Sequence, residues 1–276
     1  MTFEHLSFTQ EDTGKGSLIL VNCFHPLQKH PEGSQLLNIN SLQVEILSPH
    51  KGIFENPLTC LEHPINEIYL QKQAATMLLS LIKRSGAGGK ITAVSGYRSK
   101  AEQTAIWTET LEREGEAFTE TYVAHPGCSE HETGLAIDLA GTAPSIDYIR
   151  PCLPRQGSLA SFCSLAAQFG FIIRYPEGKE EITHIGHEPW HFRYVGFPHS
   201  VIMTQQGLVL EEYVEMLENE TSPLKPLLFT QSGAHIDIMH ISMNNHKKVE
   251  LDFSDALPYT LSGTNCGGVI LTRFRR

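Results

Sequence analysis

Three polar residues have the types and spacing of a hydrolytic metal site. His131 is followed seven residues later by Asp138, and His191 lies further along the chain. Two imidazoles and one carboxylate, with a coordination position left open, are typical of catalytic zinc. The chain has 14 histidines, and most histidines are simply solvated or hydrogen-bonded, so no single one indicates a metal. The three residues together predict a zinc site.

Strand alternation supports this grouping. In Gly134–Leu139 every second residue is a large apolar one, which places Asp138 on the face opposite to them. The segment Trp190–Val195 also alternates and places His191 opposite the aromatic residues around it. Both polar side chains are therefore expected to face away from the same hydrophobic layer.

A different zinc motif begins at the first of these histidines but is not completed. His131-Glu132 could open the HExxH helix of other metallopeptidases, yet the fifth position is Leu135. Gly134 would also weaken a helix there. The HExxH interpretation is therefore rejected.

Two further histidines compete with His191 as ligands. His184 and His187 both precede it within seven residues. Only on a helix would His187 and His191 share a face, and Pro189 between them disfavours a helix. We do not expect either as a ligand.

Glu188 is the predicted general base. It lies three residues before His191, and on a straight strand that odd separation would place the two side chains on opposite faces. Pro189 lacks the N–H needed for strand pairing and can redirect the chain, which would bring Glu188 back over the metal. The alternative is an exposed surface glutamate, as most glutamates are.

Arg98 is the candidate anion-binding residue. It lies in Ser95–Ser99, where a β-branched run ends and a helix with Ser99 as N-cap is predicted to begin. An arginine in such a tight turn can clamp an anion, although an exposed ion pair would be the ordinary alternative.

The remaining patterns predict the elements that would hold these residues. Gly141–Gly157 contains three prolines and is expected to be a loop beside the site. The predicted helices are 66–84, 100–114, 159–169 and a region from 198 to 218; the predicted strands are 18–21, 91–94, 134–139, 171–175, 190–195, 235–238, 249–253 and 269–271. The polar stretch 219–225 indicates a boundary, so we expect a catalytic domain over residues 1–220 and a small β-rich extension over 221–276.

Composition excludes several classes of function. The chain of 276 residues has 21 basic and 31 acidic residues, a net charge of −10, which disfavours nucleic acid or an anionic membrane as a partner. No segment approaches the roughly 20 apolar residues of a membrane span. The six cysteines are scattered without a CxxC pair, so reduced thiols in a cytoplasmic protein without an export signal are expected.

Three blocks carry a family resemblance: Ser95–Ser99 with Gln103, Pro126–Asp138 and Glu188–Gly196. At these blocks the sequence resembles the VanY and VanXY group of zinc D,D-peptidases associated with glycopeptide resistance. The resemblance implies an α+β fold with a central antiparallel sheet and flanking helices, of the Hedgehog/D-Ala-D-Ala peptidase type. The C-terminal β-rich extension lies outside it.

The resemblance also implies roles for individual residues. One zinc ion is bound by His131, Asp138 and His191, Glu188 acts as general base and Arg98 steadies the oxyanion. Ser129 and Gln103 match substrate-contacting positions. The implied reaction is hydrolysis of D-Ala-D-Ala, or removal of the C-terminal D-Ala from cell-wall precursors, so the implied partner is a small peptide ending in D-Ala. The oligomeric state is left open, with a homodimer as one alternative.

Two other functions stay open at this point. An L,D-carboxypeptidase of the same superfamily would trim tetrapeptide stems, and a zinc-containing module without catalysis would only bind peptidoglycan or a protein. The chain departs from the family pattern at Thr183-His184 and at His187, where other members usually have Thr-Gly and tyrosine. These positions place the choice of substrate in question.

Overall fold

The structure, a computed structural model, describes residues 4–41, 67–231 and 233–275. The chain divides into two compact units, one of Asn22–Val209 and one of Met1–Val21 together with Leu210–Arg276. No helix within these described ranges is long and apolar enough to cross a membrane.

The first unit contains both strands and α-helices, whereas the second is mostly strand. The strands are β1 (Glu4–Thr9), β2 (Leu36–Asn38), β3 (Tyr69–Gln71), β4 (Ile91–Ser95), β5 (Ala136–Gly141), β6 (Phe171–Tyr175), β7 (Glu188–Tyr194), β8 (Leu227–Gln231), β9 (Ala234–Ser242), β10 (Lys248–Phe253), β11 (Tyr259–Gly263) and β12 (Gly268–Arg275). The helices are α1 (Lys72–Ser85), α2 (Lys100–Glu114), α3 (Glu116–Tyr122), α4 (Gly157–Leu165), α5 (Glu180–Thr183), α6 (His199–Gln206) and α7 (Leu210–Glu220).

The unit Asn22–Val209 is built on a four-stranded antiparallel sheet in the order β4-β5-β7-β6. On one face Phe192 of β7 meets Phe162 of α4 edge to face, with ring centroids 5.4 Å apart. On the other face Val94 of β4 and Ala140 of β5 pack with Ile106 of α2. The predicted α+β fold with a central antiparallel sheet and flanking helices is confirmed.

Helix α2 begins where the sequence predicts. The Ser99 hydroxyl accepts a hydrogen bond from the Glu102 backbone N–H at 3.1 Å, and the Glu102 carboxylate accepts from the Ser99 N–H at 2.8 Å. This reciprocal pair satisfies two N–H groups that the first helical turn leaves unpaired. The turn before it, which carries Arg98, is held in place as a result.

Helix α1 begins later than predicted. The residues before it form β3, which pairs with β2, and the Gln71 N–H donates to the Gly134 carbonyl at 2.8 Å. Strand pairing has replaced the first predicted turns of the helix, so the predicted start was wrong; Asn66 itself lies outside the described residues. The helix ends at Gly86, whose φ of 69° is left-handed.

The apolar run Leu18–Val21 was predicted as a strand, and this was wrong. All four residues are buried, but the run belongs to no strand; the Leu20 N–H, for example, donates to the Thr264 carbonyl at 3.0 Å. Burial of an apolar run does not require a strand ladder.

The second unit contains two small sheets. The larger has the order β11-β12-β9-β8, and β1 forms a ribbon with β10. β1 was not predicted, because its pairing partner β10 lies near the other end of the chain. Both β1 and α7 group with the C-terminal strands, although they lie within the residues 1–220 predicted as the catalytic domain. The core of the unit is Leu6, Phe8, Met239, Ile241, Met243, Val269 and Leu271.

Five of the six cysteines lie in the described part of the chain. Cys23, Cys128, Cys152, Cys163 and Cys266 are free thiols. Cys60 lies outside the described residues.

The β1 ribbon yields a test of the second unit. Phe8 is only 2% exposed in its core, so Phe8→Ala is expected to lower the free energy of unfolding by about 3–5 kcal/mol. Denaturant titration measures this. Leu228→Ala, at a position that is 69% exposed, is the control and should change the value by less than about 0.5 kcal/mol. Equal effects of the two substitutions would contradict the packing of β1.

Candidate active site

The three predicted ligand residues come from one turn and two adjacent strands. His131 lies in a short 3-10 turn that ends at Gly134, whose φ is 69°. Asp138 on β5 is directly opposite His191 on β7 in the antiparallel register. One donor atom from each of the three residues lies within 4.8 Å of the others, and all three are buried. The structure therefore brings the predicted set together.

Hydrogen bonds orient both imidazoles. The His131 Nδ1 lies 2.7 Å from the Gly96 carbonyl oxygen, which can only accept, so this nitrogen carries the proton. His131 Nε2 is then free, 3.1 Å from the Asp138 Oδ2. On the other side His191 Nδ1 lies 2.9 Å from Asp138 Oδ1. Two imidazole nitrogens thus converge on one carboxylate.

This donor set fits a zinc ion. Zinc prefers imidazole nitrogen and carboxylate oxygen, and three protein ligands leave the open position that catalytic sites keep. A ligand histidine must be neutral, and burial together with the nearby Arg98 lowers the pKa of His131 to about 4. Burial alone would raise the pKa of Asp138, but the neighbouring His131 lowers it below its usual value, so the carboxylate stays ionised.

The charge balance at His191 differs from that at His131. Burial alone would lower the pKa of His191, but the hydrogen bond to Asp138 and the Glu130 carboxylate raise it to about 9. This raised pKa favours the protonated imidazole, and metal binding competes with protonation at such a site.

An irregularity in β7 brings Glu188 to the side of His191. Ile173 of β6 pairs with Phe192, but Tyr175, two residues on, pairs with Glu188. Four residues of β7 therefore span a step that β6 covers with two, which is a bulge around Pro189. The Glu188 Oε2 lies 3.6 Å from His191 Nδ1. The bulge therefore lets Glu188 and His191, which are three residues apart, lie on the same side of the strand.

Glu188 is buried, with only 5% of its surface exposed, so the alternative of an exposed surface glutamate is wrong. Burial raises the pKa of its carboxyl group to about 8, and the positive charge of His191 opposes this rise. A carboxyl group with a pKa near neutrality can both take up and release a proton.

Arg98 lies against the ligands and is not an exposed ion pair. Its Nη2 is 3.1 Å from the Asp138 Oδ2, and its Nε donates to the Ser95 Oγ at 2.7 Å. Its Nη1 donates to the Gln103 Oε1 at 3.3 Å, and only 11% of the Arg98 side chain is exposed. The guanidinium is held from three sides beside the metal ligands.

Gln103 and Ser129 border the same open cavity as the three predicted metal ligands. Both ends of the Gln103 amide are engaged, because its nitrogen donates to the Ala124 carbonyl at 2.7 Å and its oxygen accepts from Arg98. The cavity is lined by Arg98, Gln103, Ile106, Tyr122, Val123, Ala124, Ser129, Glu130, His131, Asp138, Tyr148, Ile149, Tyr175, Ile185, Glu188, Trp190 and His191.

His184 and His187 contribute no donor to the ligand cluster. His184 has a left-handed φ of 58°, and its ring meets that of Phe24 at 5.0 Å. The His187 Nδ1 lies 3.1 Å from the Tyr175 carbonyl oxygen.

Sequence reasoning missed a group of charges behind the ligands. Glu130, Arg174 and Arg193 are each at most 1% exposed, and the carboxylate lies between the two guanidinium groups. The available signal was strand alternation, which puts Arg193 on the same face as His191. Nothing in the sequence indicates that Glu130 would be its partner.

Comparisons with known proteins show which family the chain resembles. The family model VanY, described as D-alanyl-D-alanine carboxypeptidase, matches residues 67–197, which include all the ligand, base and cavity residues. The bifunctional D-Ala-D-Ala dipeptidase and D-Ala-D-Ala carboxypeptidase VanXYC of Enterococcus gallinarum is 38% identical over 202 residues, covering 73% of this chain and 95% of that enzyme.

Solved structures extend the likeness to the whole chain. The vancomycin resistance D,D-dipeptidase VanXYg, in complex with a D-Ala-D-Ala phosphinate analogue, matches with a TM-score of 0.86 and 36% identity over 100% of both chains. The LD-carboxypeptidase LdcB matches with a TM-score of 0.52 and 33% identity, covering 71% of this chain and 84% of that one. With this extent of identity, the chain belongs to the VanY family of D-alanyl-D-alanine carboxypeptidases and is similar to its VanXY members.

Proposed function

We propose that the chain is a zinc-dependent D,D-peptidase that hydrolyses D-Ala-D-Ala, removes the C-terminal D-Ala from peptidoglycan precursors, or does both, as in vancomycin resistance. The observation that carries this proposal is the convergence of His131, Asp138 and His191 beside the buried Glu188 carboxylate. The similarity to VanXYC and VanXYg, which are named for these activities, supports the choice of substrate.

His131, Asp138 and His191 would hold the metal through Nε2, a carboxylate oxygen and Nδ1. When bound there, zinc supplies Lewis acidity, which lowers the pKa of water and polarises a carbonyl group. Asp138 is fixed for this task, since it also accepts a hydrogen bond from Arg98.

Glu188 would act as the base and then as the acid. Positive charge at the ligand cluster favours its carboxylate form, which can take a proton from the attacking water. Its burial favours the protonated form, so the proton can be passed on to the leaving amine. One residue then serves both proton transfers.

Arg98 would stabilise the negative charge that develops on the scissile carbonyl oxygen. Its guanidinium borders the cavity and is held by Ser95 and Gln103, so little reorganisation is needed during the reaction. Ser129 and Gln103 are proposed substrate contacts because both border the cavity, and Gln103 has the additional task of holding Arg98.

We place catalysis in the unit Asn22–Val209, because it contains every proposed catalytic and ligand residue. The sequence-based boundary at residue 220 stays a proposal, as do a homodimer and a cytoplasmic location.

One of the two alternative functions stays a candidate, and the other is disfavoured. Similarity to the LD-carboxypeptidase LdcB keeps hydrolysis of tetrapeptide stems as a second candidate. A non-catalytic zinc module is disfavoured, because a structural site needs no base, whereas the Glu188 carboxyl group borders the cavity and has its pKa raised by burial to about 8.

Removal of metal tests the cofactor. Dialysis against a chelator is expected to abolish release of D-Ala, and stoichiometric zinc should restore it. The reason is that the proposed mechanism takes its Lewis acidity from the metal. His187→Ala is the matched control and should keep metal content measured by atomic absorption at one ion per chain. Full hydrolysis by the chelated protein would refute the zinc requirement.

Glu188→Gln tests the proposed base while keeping the size of the side chain. Turnover of D-Ala-D-Ala should fall by about 10²–10⁴-fold, the usual contribution of general acid–base catalysis, with zinc content unchanged. Glu181→Gln, at an exposed glutamate on α5, serves as control and should retain wild-type turnover. An unchanged turnover number in Glu188→Gln would mean that another group is the base.

A panel of three substrates separates the D,D and L,D activities. D-Ala-D-Ala, a pentapeptide precursor ending in D-Ala-D-Ala and a tetrapeptide stem are compared by kcat/KM with the zinc-loaded chain. We expect hydrolysis of one or both of the first two and little of the third. Activity confined to the tetrapeptide would establish the L,D alternative instead.

A further inference from the structure

Glu130 is a fully buried carboxylate directly behind the candidate metal site. It is only 1% exposed and precedes His131 in the 3-10 turn. Its Oε1 accepts from the Nε of Arg174 at 2.8 Å and lies 2.7 Å from Nη1 of Arg193. Two guanidinium groups therefore determine which way this carboxylate faces.

The second oxygen of Glu130 faces His191. Oε2 lies 3.6 Å from the His191 Nε2, and neither atom has a hydrogen-bond partner elsewhere in the described part of the chain. A small movement closes this gap to a hydrogen bond. The other ring nitrogen, Nδ1, lies on the far side, beside Asp138. The imidazole is thus held between Glu130 at its back and the ligand cluster at its front.

Stability alone does not account for these buried charges. Burial of ions costs several kcal/mol each, and replacing a buried ion pair by well-packed apolar residues is often neutral or stabilising. A group with two cations and one anion, placed against a ligand histidine, is better explained by what it does to that histidine. Ligand histidines commonly donate their second N–H to a carboxylate, which fixes the ring and its tautomer.

We propose that Glu130 is a positioning residue that keeps the proton of His191 on Nε2, so that the Nδ1 lone pair is available to the metal. Arg174 and Arg193 hold the Glu130 Oε1 and thereby aim Oε2 at the imidazole. This inference rests on the proposed metal-dependent function, and it assigns to Glu130 no contact with the substrate.

The substitution Glu130→Gln should reverse this arrangement. The two arginines only donate, so they would retain the oxygen of the introduced amide and leave its NH₂ group facing His191. A donor there requires Nε2 to accept, and the imidazole proton then moves to Nδ1. In that tautomer His191 presents N–H instead of a lone pair to the metal.

The experiment compares the full wild-type chain with Glu130→Gln and Glu132→Gln. Glu132 is a suitable control, because it is buried in the same turn and its Oε1 accepts from the Gly127 N–H at 2.6 Å, a bond that glutamine can keep. Zinc dissociation constants are measured by chelator competition. The His191 tautomer is read from ¹⁵N chemical shifts of the imidazole in the zinc-loaded protein.

Glu130→Gln should raise the zinc dissociation constant by about 10–100-fold, with the proton lost from Nε2 of His191. Glu132→Gln should stay within about twofold of wild type. A Glu130→Gln protein with wild-type affinity and an unchanged tautomer would overturn the inference. A purely structural role would lower thermal stability without moving the tautomer.

The wild type alone keeps the inference falsifiable if Glu130→Gln does not fold. In the zinc-loaded wild type we expect a proton on Nε2 and metal on Nδ1 of His191; the reverse assignment would overturn the positioning role. A wild type that binds zinc through Nδ1 yet hydrolyses no peptide ending in D-Ala would refute the proposed function while supporting the role of Glu130.

Discussion

The antiparallel pairing of β5 with β7 sets Asp138 directly opposite His191, and the geometry of the site depends on this register. A shift by one residue would turn either side chain to the opposite face of the sheet, where Phe192 packs against a helix. The Asp138 carboxylate then serves several partners at once: His131, His191 and Arg98 all lie within 3.1 Å of its oxygens. One strand register thus positions two ligands and the candidate oxyanion group.

Burial makes the charges of this site depend on one another. Asp138 remains ionised only because cationic and hydrogen-bonding groups surround it, and Glu130 does so because Arg174 and Arg193 flank it. At Glu188 the effect of burial outweighs the nearby charge of His191, and its pKa rises to about 8. Three acidic groups in one small region thereby acquire different properties: Asp138 suits a ligand, Glu130 a fixed anchor, and Glu188 a group that exchanges protons.

The bulge in β7 is the local irregularity that brings Glu188 beside His191. A regular strand would direct Glu188 away from His191, and Pro189 both interrupts the ladder and tolerates the bend. Bulges next to active sites commonly redirect a side chain in this way. The cost is a locally weaker sheet, and the pairing of Tyr175 with Glu188 resumes the ladder beyond it.

Local patterns in the sequence determined much of this protein. Period-two alternation placed Asp138 and His191 on a polar face, the Ser99 cap located α2, and Pro189 indicated that Glu188 could return to the metal side. These features depend on neighbours within a few residues. The start of α1, the strand β1 and the burial of Leu18–Val21 without a ladder were not predictable, because each depends on a partner that is distant in sequence. The same reason applies to Glu130: only the tertiary structure decided that its carboxylate meets Arg174, Arg193 and the back of His191, since sequence spacing carries no information about which buried charges will face one another.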